Sequence, residues 1–258
     1  HKRRERVMNT IGSELLKYKR TFTRKIILSF PLFFAVQAMA GVKLMPKDIV
    51  RNWDLVTSMV FNIWTVVFLP FGMALFAFLV DAQERKAGNY RSLRTHQTSA
   101  INIWVGKITV MAFYTLLSCI VLSVSILISG IITAKGTIPY IQIFEAAFVS
   151  WLVSLALIPI QLFAATYKGL FLSMAVGFIG FITGIVSAAG SYWIFIPWAW
   201  GIRLMCAIIG VHPNGTLLEQ GSNLRDMSVI PIGIGISLSV FIIITIITAF
   251  WFKRREVK

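Results

Sequence analysis

Histidine, cysteine and acidic residues are scarce in this sequence, and each shortage removes a class of chemistry. The 258 residues include three His (His1, His96, His212), two Cys and ten Asp plus Glu. No His lies in an apolar run and no His-Glu-x-x-His helix is present, so zinc peptidase chemistry of that kind is excluded. Cys119 falls inside an apolar run and Cys206 at the opposite membrane face, too far apart in depth to pair, and no metal-ligand spacing exists. The phosphate loop is also missing. Gly106-Lys107 has Ile101 where the first glycine belongs and Ile108 where Ser or Thr should follow, so this chain does not bind and split ATP by itself. The interiors of the apolar runs carry no Asp, Glu, Lys or Arg, which argues against proton relay, ion-coupled transport and intramembrane proteolysis. A passive membrane path driven from outside, or a scaffold, is what these absences leave.

What is abundant is apolar surface. Hydrophobic residues make up 57% of the chain and charged ones 14%, against about 25% charged in soluble domains, and the mean hydropathy is +0.78. These values predict an all-α integral membrane protein. The net charge of +15 does not point to nucleic acid, because most bases flank apolar runs, where they set topology and meet anionic headgroups. Six spans are predicted, over about 26–42, 55–80, 108–133, 146–167, 170–189 and 228–252. All but six of the 25 Lys and Arg (Lys43, Lys47, Arg51, Lys135, Arg203, Arg225) then fall on one side, which predicts a multi-pass protein with both termini cytoplasmic. No small-residue cleavage motif follows the first apolar run. Met8-Asn9-Thr10 reads as a natural start, with His1 to Val7 an upstream remnant.

The chain is arranged around residues 81–107, a polar stretch between two long apolar runs. Its bases (Arg85, Lys86, Arg91, Arg94, Lys107) place it on the cytoplasmic side, and its size suits a docking element for a cytoplasmic partner. Residues 8–25 form a candidate amphipathic interfacial helix, with Ile11, Leu15, Tyr18 and Phe22 in one arc and Lys17, Arg20 and Arg24 opposite. Span 5 carries Gly177, Gly180 and Gly184, small residues that allow close helix approach, either within the chain, or at a dimer seam or along a moving pathway. Between spans 5 and 6, residues 190–227 open on Trp193, Phe195, Trp198 and Trp200. That segment reads as short helices re-entering the far leaflet, or as an aromatic belt, and its aromatic cluster is a candidate substrate path.

Six spans, an amphipathic leader, the inner loop and a bent outer segment together resemble the permease subunits of type-2 ABC exporters. The most specific part is Asp81-Ala-Gln-Glu84-Arg-Lys-Ala-Gly88-Asn-Tyr-Arg-Ser-Leu93, followed by Gly106-Lys107. It is similar to the family's Glu-x-x-x-Gly-x-x-x-x-Leu coupling segment and Gly-Lys pair. The opening Met8-Asn-Thr-Ile-Gly-Ser-Glu-Leu-Leu-Lys-Tyr-Lys-Arg-Thr21 and the Trp193…Pro197-Trp198 motif are similar to lantibiotic-protection permeases of Gram-positive bacteria. The resemblance implies a non-enzymatic transport subunit of the bacterial plasma membrane, binding no cofactor, with ATP and Mg in a partner ATPase. It further implies a second permease, copy or paralogue, and an amphiphilic peptide as cargo. By the same resemblance Glu84, Arg85, Tyr90, Arg91, Leu93 and Arg94 carry the ATPase coupling. An exporter of another amphiphile (lipid, polysaccharide, drug) and a non-transporting scaffold or sensor are the alternatives.

Overall fold

The computed structural model describes residues 11–18, 21–86 and 99–256, and every regular element among them is helical. Among the described residues eight helices follow one another, 3-10 turns aside. They are α1 (residues 11–18), α2 (Phe22–Leu44), α3 (Trp53–Lys86), α4 (Ala100–Thr133), α5 (Tyr140–Ser154), α6 (Leu157–Ala188), α7 (Pro197–Ile208) and α8 (Val229–Glu256). Five of them (α2, α3, α4, α6, α8) are long and apolar enough to cross a membrane, and α5 is a shorter apolar helix. This is an all-α integral membrane protein.

The helix starts obey local chemistry. The Thr21 hydroxyl accepts from the Arg24 N–H at the start of α2, Asn52 does so for Leu55 in α3, and Ser99 for Asn102 in α4. The predicted 8–25 helix is therefore not continuous. Thr21 is extended (φ −87°, ψ 155°) and separates α1 from α2. Within α3, Trp64–Gly72 widens into π-helix around Pro70, which has no N–H for the regular ladder. The Met73 N–H bonds Leu69 O and the α pattern resumes.

The length of α6 conceals a reversal. Lys168 (φ −135°, ψ 20°) and Gly169 (φ 70°, ψ −152°) leave helical geometry, and the positive φ suits only glycine without strain. Across this break Ser173 Oγ lies 3.2 Å from Gln161 Oε1. A straight helix would separate those residues by about 18 Å, so α6 folds back as two antiparallel arms, broken where the sequence placed the loop between spans 4 and 5. The second arm lies along α3, with Ser173 Oγ donating to Ala74 O at 2.8 Å.

The three glycines of this arm are used inside the chain. A Cβ on Gly177 would lie 2.8 Å from Pro70 O, one on Gly180 would fall within the Trp198 indole, and one on Gly184 would sit 3.0 Å from Trp198 O. They let α6 approach the π-helical turn of α3 and the start of α7. This is the intrachain packing alternative of the two the sequence left open.

Helix α7 is embedded in the bundle, with every residue from Ala199 to Ile208 buried. The short helices expected between spans 5 and 6 are one 3-10 turn (Ser191–Phe195) followed by α7. Its lone base, Arg203, donates to Leu224 O at 2.7 Å and lies 5.9 Å from the Trp193 ring, which satisfies a charge that would otherwise be costly there.

Candidate functional site

The described ends of the polar stretch expected at 81–107 are helical. Residues 81–86 continue α3 and 100–107 belong to the first turns of α4, leaving 87–99 as the connection. Tyr90, Arg91, Leu93 and Arg94, four of the predicted coupling residues, lie outside the described residues. Glu84 and Arg85 are described, and both turn toward the protein.

Four ionisable side chains meet where α1, α3 and α4 converge. Glu14 is 2% exposed, Glu84 6% and Lys107 1%. Lys107 Nζ lies 2.7 Å from Glu84 Oε1 and 3.3 Å from Glu14 Oε2. Lys17 Nζ lies 2.7 Å from Glu14 Oε1 and also bonds Glu84 Oε1. The Gln83 amide donates to Lys17 O at 2.6 Å, adding a second tie between α1 and α3. Two carboxylates and two ammonium groups leave this knot electrically neutral. Burial pushes the Lys17 ammonium down, but Glu14 and then Glu84 outweigh it and hold the group above its ordinary value. Tyr18 packs beside the knot against Tyr114 (ring centroids 5.0 Å) and Phe76 (6.2 Å), and burial, followed by the two carboxylates, pushes its phenol well up.

A second set of charges adjoins the first at the same end. Asp81, fully buried, accepts from Arg85 Nε at 2.6 Å. Arg85 Nη2 donates to Thr166 O at 3.1 Å, and Arg255 of α8 donates to the same oxygen. Thr166 lies in the last turn before the α6 reversal, where backbone carbonyls have no helical partner, so the two guanidiniums cap that arm with favourable dipole sign. An aromatic layer lies beneath. Trp104 stacks on Phe252 at 4.8 Å and donates to Thr248 Oγ1 at 2.9 Å, while Trp251 meets Phe163 edge-on at 4.6 Å. One end of the bundle thus fastens α1, both helices flanking residues 87–99, the α6 reversal and the end of α8.

Such a knot contributes little net stability, because desolvation offsets much of the attraction. Its strength is geometric: removing one partner leaves another buried and unpaired.

Sequence reasoning missed this assembly. Asp81, Glu84 and Lys107 lie just outside the expected spans 55–80 and 108–133, in the stretch read as a water-facing loop, yet they are buried in the long helices α3 and α4. Lys17 was placed on the polar face of an interfacial helix, whereas it faces Glu14 and Glu84. One signal was available: Glu14 is the only acid between Glu5 and Asp48, three residues ahead of Lys17 in a strongly basic leader.

The predicted substrate-path aromatics do not form one surface. Trp200 is 1% exposed and donates to Ile194 O at 3.0 Å; Trp193 is 9% exposed; Trp198 fills the Gly180–Gly184 groove. Only Phe195, 76% exposed, is open to a ligand. Pro197 opens α7 and aims the indoles of Trp198 and Trp200 inward, so the cluster packs α7 into the bundle. Among the described residues no group of three or more His, Cys, Asp or Glu could hold a metal ion.

A helical membrane bundle with no catalytic constellation among the described residues, and with its charges gathered beside one connection, has the build of a membrane permease. Residues 10–184 match the model of the ABC-2 family transporter proteins. The chain belongs to that family and is a membrane permease subunit of an ABC transporter, a transport component. The match ends within α6, before α7 and α8. Neither the curated proteins nor the solved structures compared with it include a match.

Proposed function

We propose that this chain is the membrane half of an ATP-driven exporter that clears a cationic lanthionine peptide from the bacterial plasma membrane, giving immunity or resistance. The observation that carries the coupling part is the buried Glu14–Lys17–Glu84–Lys107 knot at the root of the 87–99 connection. A separate ATPase docks on that connection from the cytoplasm, and ATP binding moves it. Glu84 acts as the tie through which that movement reaches α1, α3 and α4, and Arg85 carries it to the α6 reversal. Taking α5 with the first arm of α6 as one pass and the second arm as another gives six membrane passes, which leave both ends of the chain on one side, the cytoplasmic one by the excess of Lys and Arg there. A second permease, copy or paralogue, completes the path.

The cargo reading is supported by the leader and the Trp193…Trp198 motif, by their similarity to lantibiotic-protection permeases. Of the four rings Trp193 and Trp200 are buried, Trp198 is half-buried in the Gly180–Gly184 groove, and Phe195 is the exposed one.

Two measurements test the proposal separately. Tagged chain purified from its own membrane should bring down an ABC ATPase; an ATPase absent at every detergent condition would overturn the permease mechanism. Co-expression with that ATPase in a sensitive host should raise survival against a lanthionine peptide. Unchanged killing, with ATPase activity instead stimulated by another amphiphile, would overturn the cargo and leave the permease reading intact.

A further inference from the structure

A second feature lies on the bundle's flank, away from the charged knot. Between α2, α3 and α4 is a narrow apolar recess, lined on α2 by Ile26, Ile27 and Phe30 and on α3 by Phe68, Leu75 and Leu79. Its floor is Thr115 and Ser118 of α4, whose hydroxyls are already committed to Ala112 O and Ile27 O. It therefore offers a ligand no hydrogen bond, only dry contact. Along α3 the lining runs from Phe68 to Leu79, about 16 Å at helical rise. That is about half the ~30 Å hydrocarbon core, the depth of one leaflet.

The end of the recess nearest the chain termini is basic. Arg24 and Lys25 stand just ahead of Ile26 on α2, and Lys86 stands two turns beyond Leu79 on the same face of α3. All three are exposed, and among the described residues no carboxylate pairs with any of them. By contrast, Lys17 and Arg85 at the same end are occupied by acids.

We propose that this recess binds one acyl chain of an anionic phospholipid whose phosphate headgroup is held by Arg24, Lys25 and Lys86. The occupant follows from three matches. The groove is dry and as deep as one leaflet, its mouth is at headgroup level, and the unpaired charges there are of one sign. Zwitterionic lipid would fill the groove but gain less at the mouth, where its own cation offsets the phosphate charge, and an apolar helix of another protein would leave three bases unanswered. The proposal rests on the chain spanning a membrane and is independent of what it exports.

The test uses purified full-length chain and two photoactivatable lipids with identical acyl chains, phosphatidylglycerol and phosphatidylcholine, with labelled positions mapped by mass spectrometry. Phosphatidylglycerol should label the recess residues of α2 and α3 at least about fivefold more than phosphatidylcholine, since each base near a headgroup is worth about that factor. Raising the salt should shrink the preference in the wild-type chain. Arg24→Gln, Lys25→Gln and Lys86→Gln together should abolish the preference while labelling stays at the same positions. Ile26→Trp with Leu79→Trp, which fills the mouth, should cut labelling by both lipids. Equal labelling by the two lipids, a preference that survives both salt and the triple change, or protein–protein cross-links from the recess that exclude lipid would each overturn the proposal.

Discussion

Replacing Lys107 by Met is the sharpest test of the knot. Met keeps the length and apolar stem but removes the ammonium 2.7 Å from Glu84 and 3.3 Å from Glu14. Removing one partner of a buried ion pair costs about 3–5 kcal/mol. Here Lys17 still contacts both carboxylates, so the expected loss is at the lower end, about 3 kcal/mol. For a chain of this size that corresponds to a drop in Tm of about 6–12 °C. Adding Glu84→Gln removes the surplus negative charge while its amide oxygen still accepts from Lys17. The double variant should therefore recover to within about 1 kcal/mol of wild type. Thermal unfolding in one detergent at one scan rate, followed by loss of helical signal, reads both. A single variant within about 2 °C of wild type, or a double variant worse than the single, would refute the reasoning that these groups act as a unit. The double variant then serves function: if the knot transmits motion, it should bind the ATPase normally yet lose substrate-stimulated hydrolysis.

Gly180→Leu with Gly184→Leu should displace Trp198 and cost at least about 1–3 kcal/mol by overpacking; unchanged stability would mean that α6 meets lipid there. Trp200→Phe should lose the bond to Ile194 O and lower stability by about 1 kcal/mol, reducing protection against dissimilar peptides equally; a selective loss for one peptide would show that this ring meets cargo. Asp226, ahead of α8, accepts from the Ser228 N–H at 2.9 Å and from its hydroxyl at 2.8 Å, and these bonds, the backbone one first, hold its carboxyl below the ordinary 3.8. Its contribution is present above that value and lost as pH falls through the lower folded value. The stability gap between wild type and Asp226→Ala should therefore be constant at neutral pH and close only in acid below about 3.8; a gap already closing at pH 6 would assign the effect to another group.

The sequence by itself determined the membrane class, the helices and most of their limits. Long charge-free runs have one stable form in lipid, the helix, whose backbone bonds are internal, and Thr21, Asn52 and Ser99 mark helix starts by local hydrogen bonds. The break at Lys168-Gly169 was legible for the same reason, since a charged residue and a glycine interrupt an apolar run. Only the tertiary structure decided that both described ends of the polar stretch are helical and buried, because Asp81, Glu84 and Lys107 can be buried only if partners arrive from elsewhere. Glu14 and Lys17 come from far along the chain, and Arg85 and Arg255 converge on Thr166 from opposite ends of the sequence. The aromatic segment was decided the same way. Amphipathic rings suit a membrane surface and a packed groove equally, and the bare backbone of Gly180 and Gly184, facing Trp198 across the fold, made the groove the tighter fit.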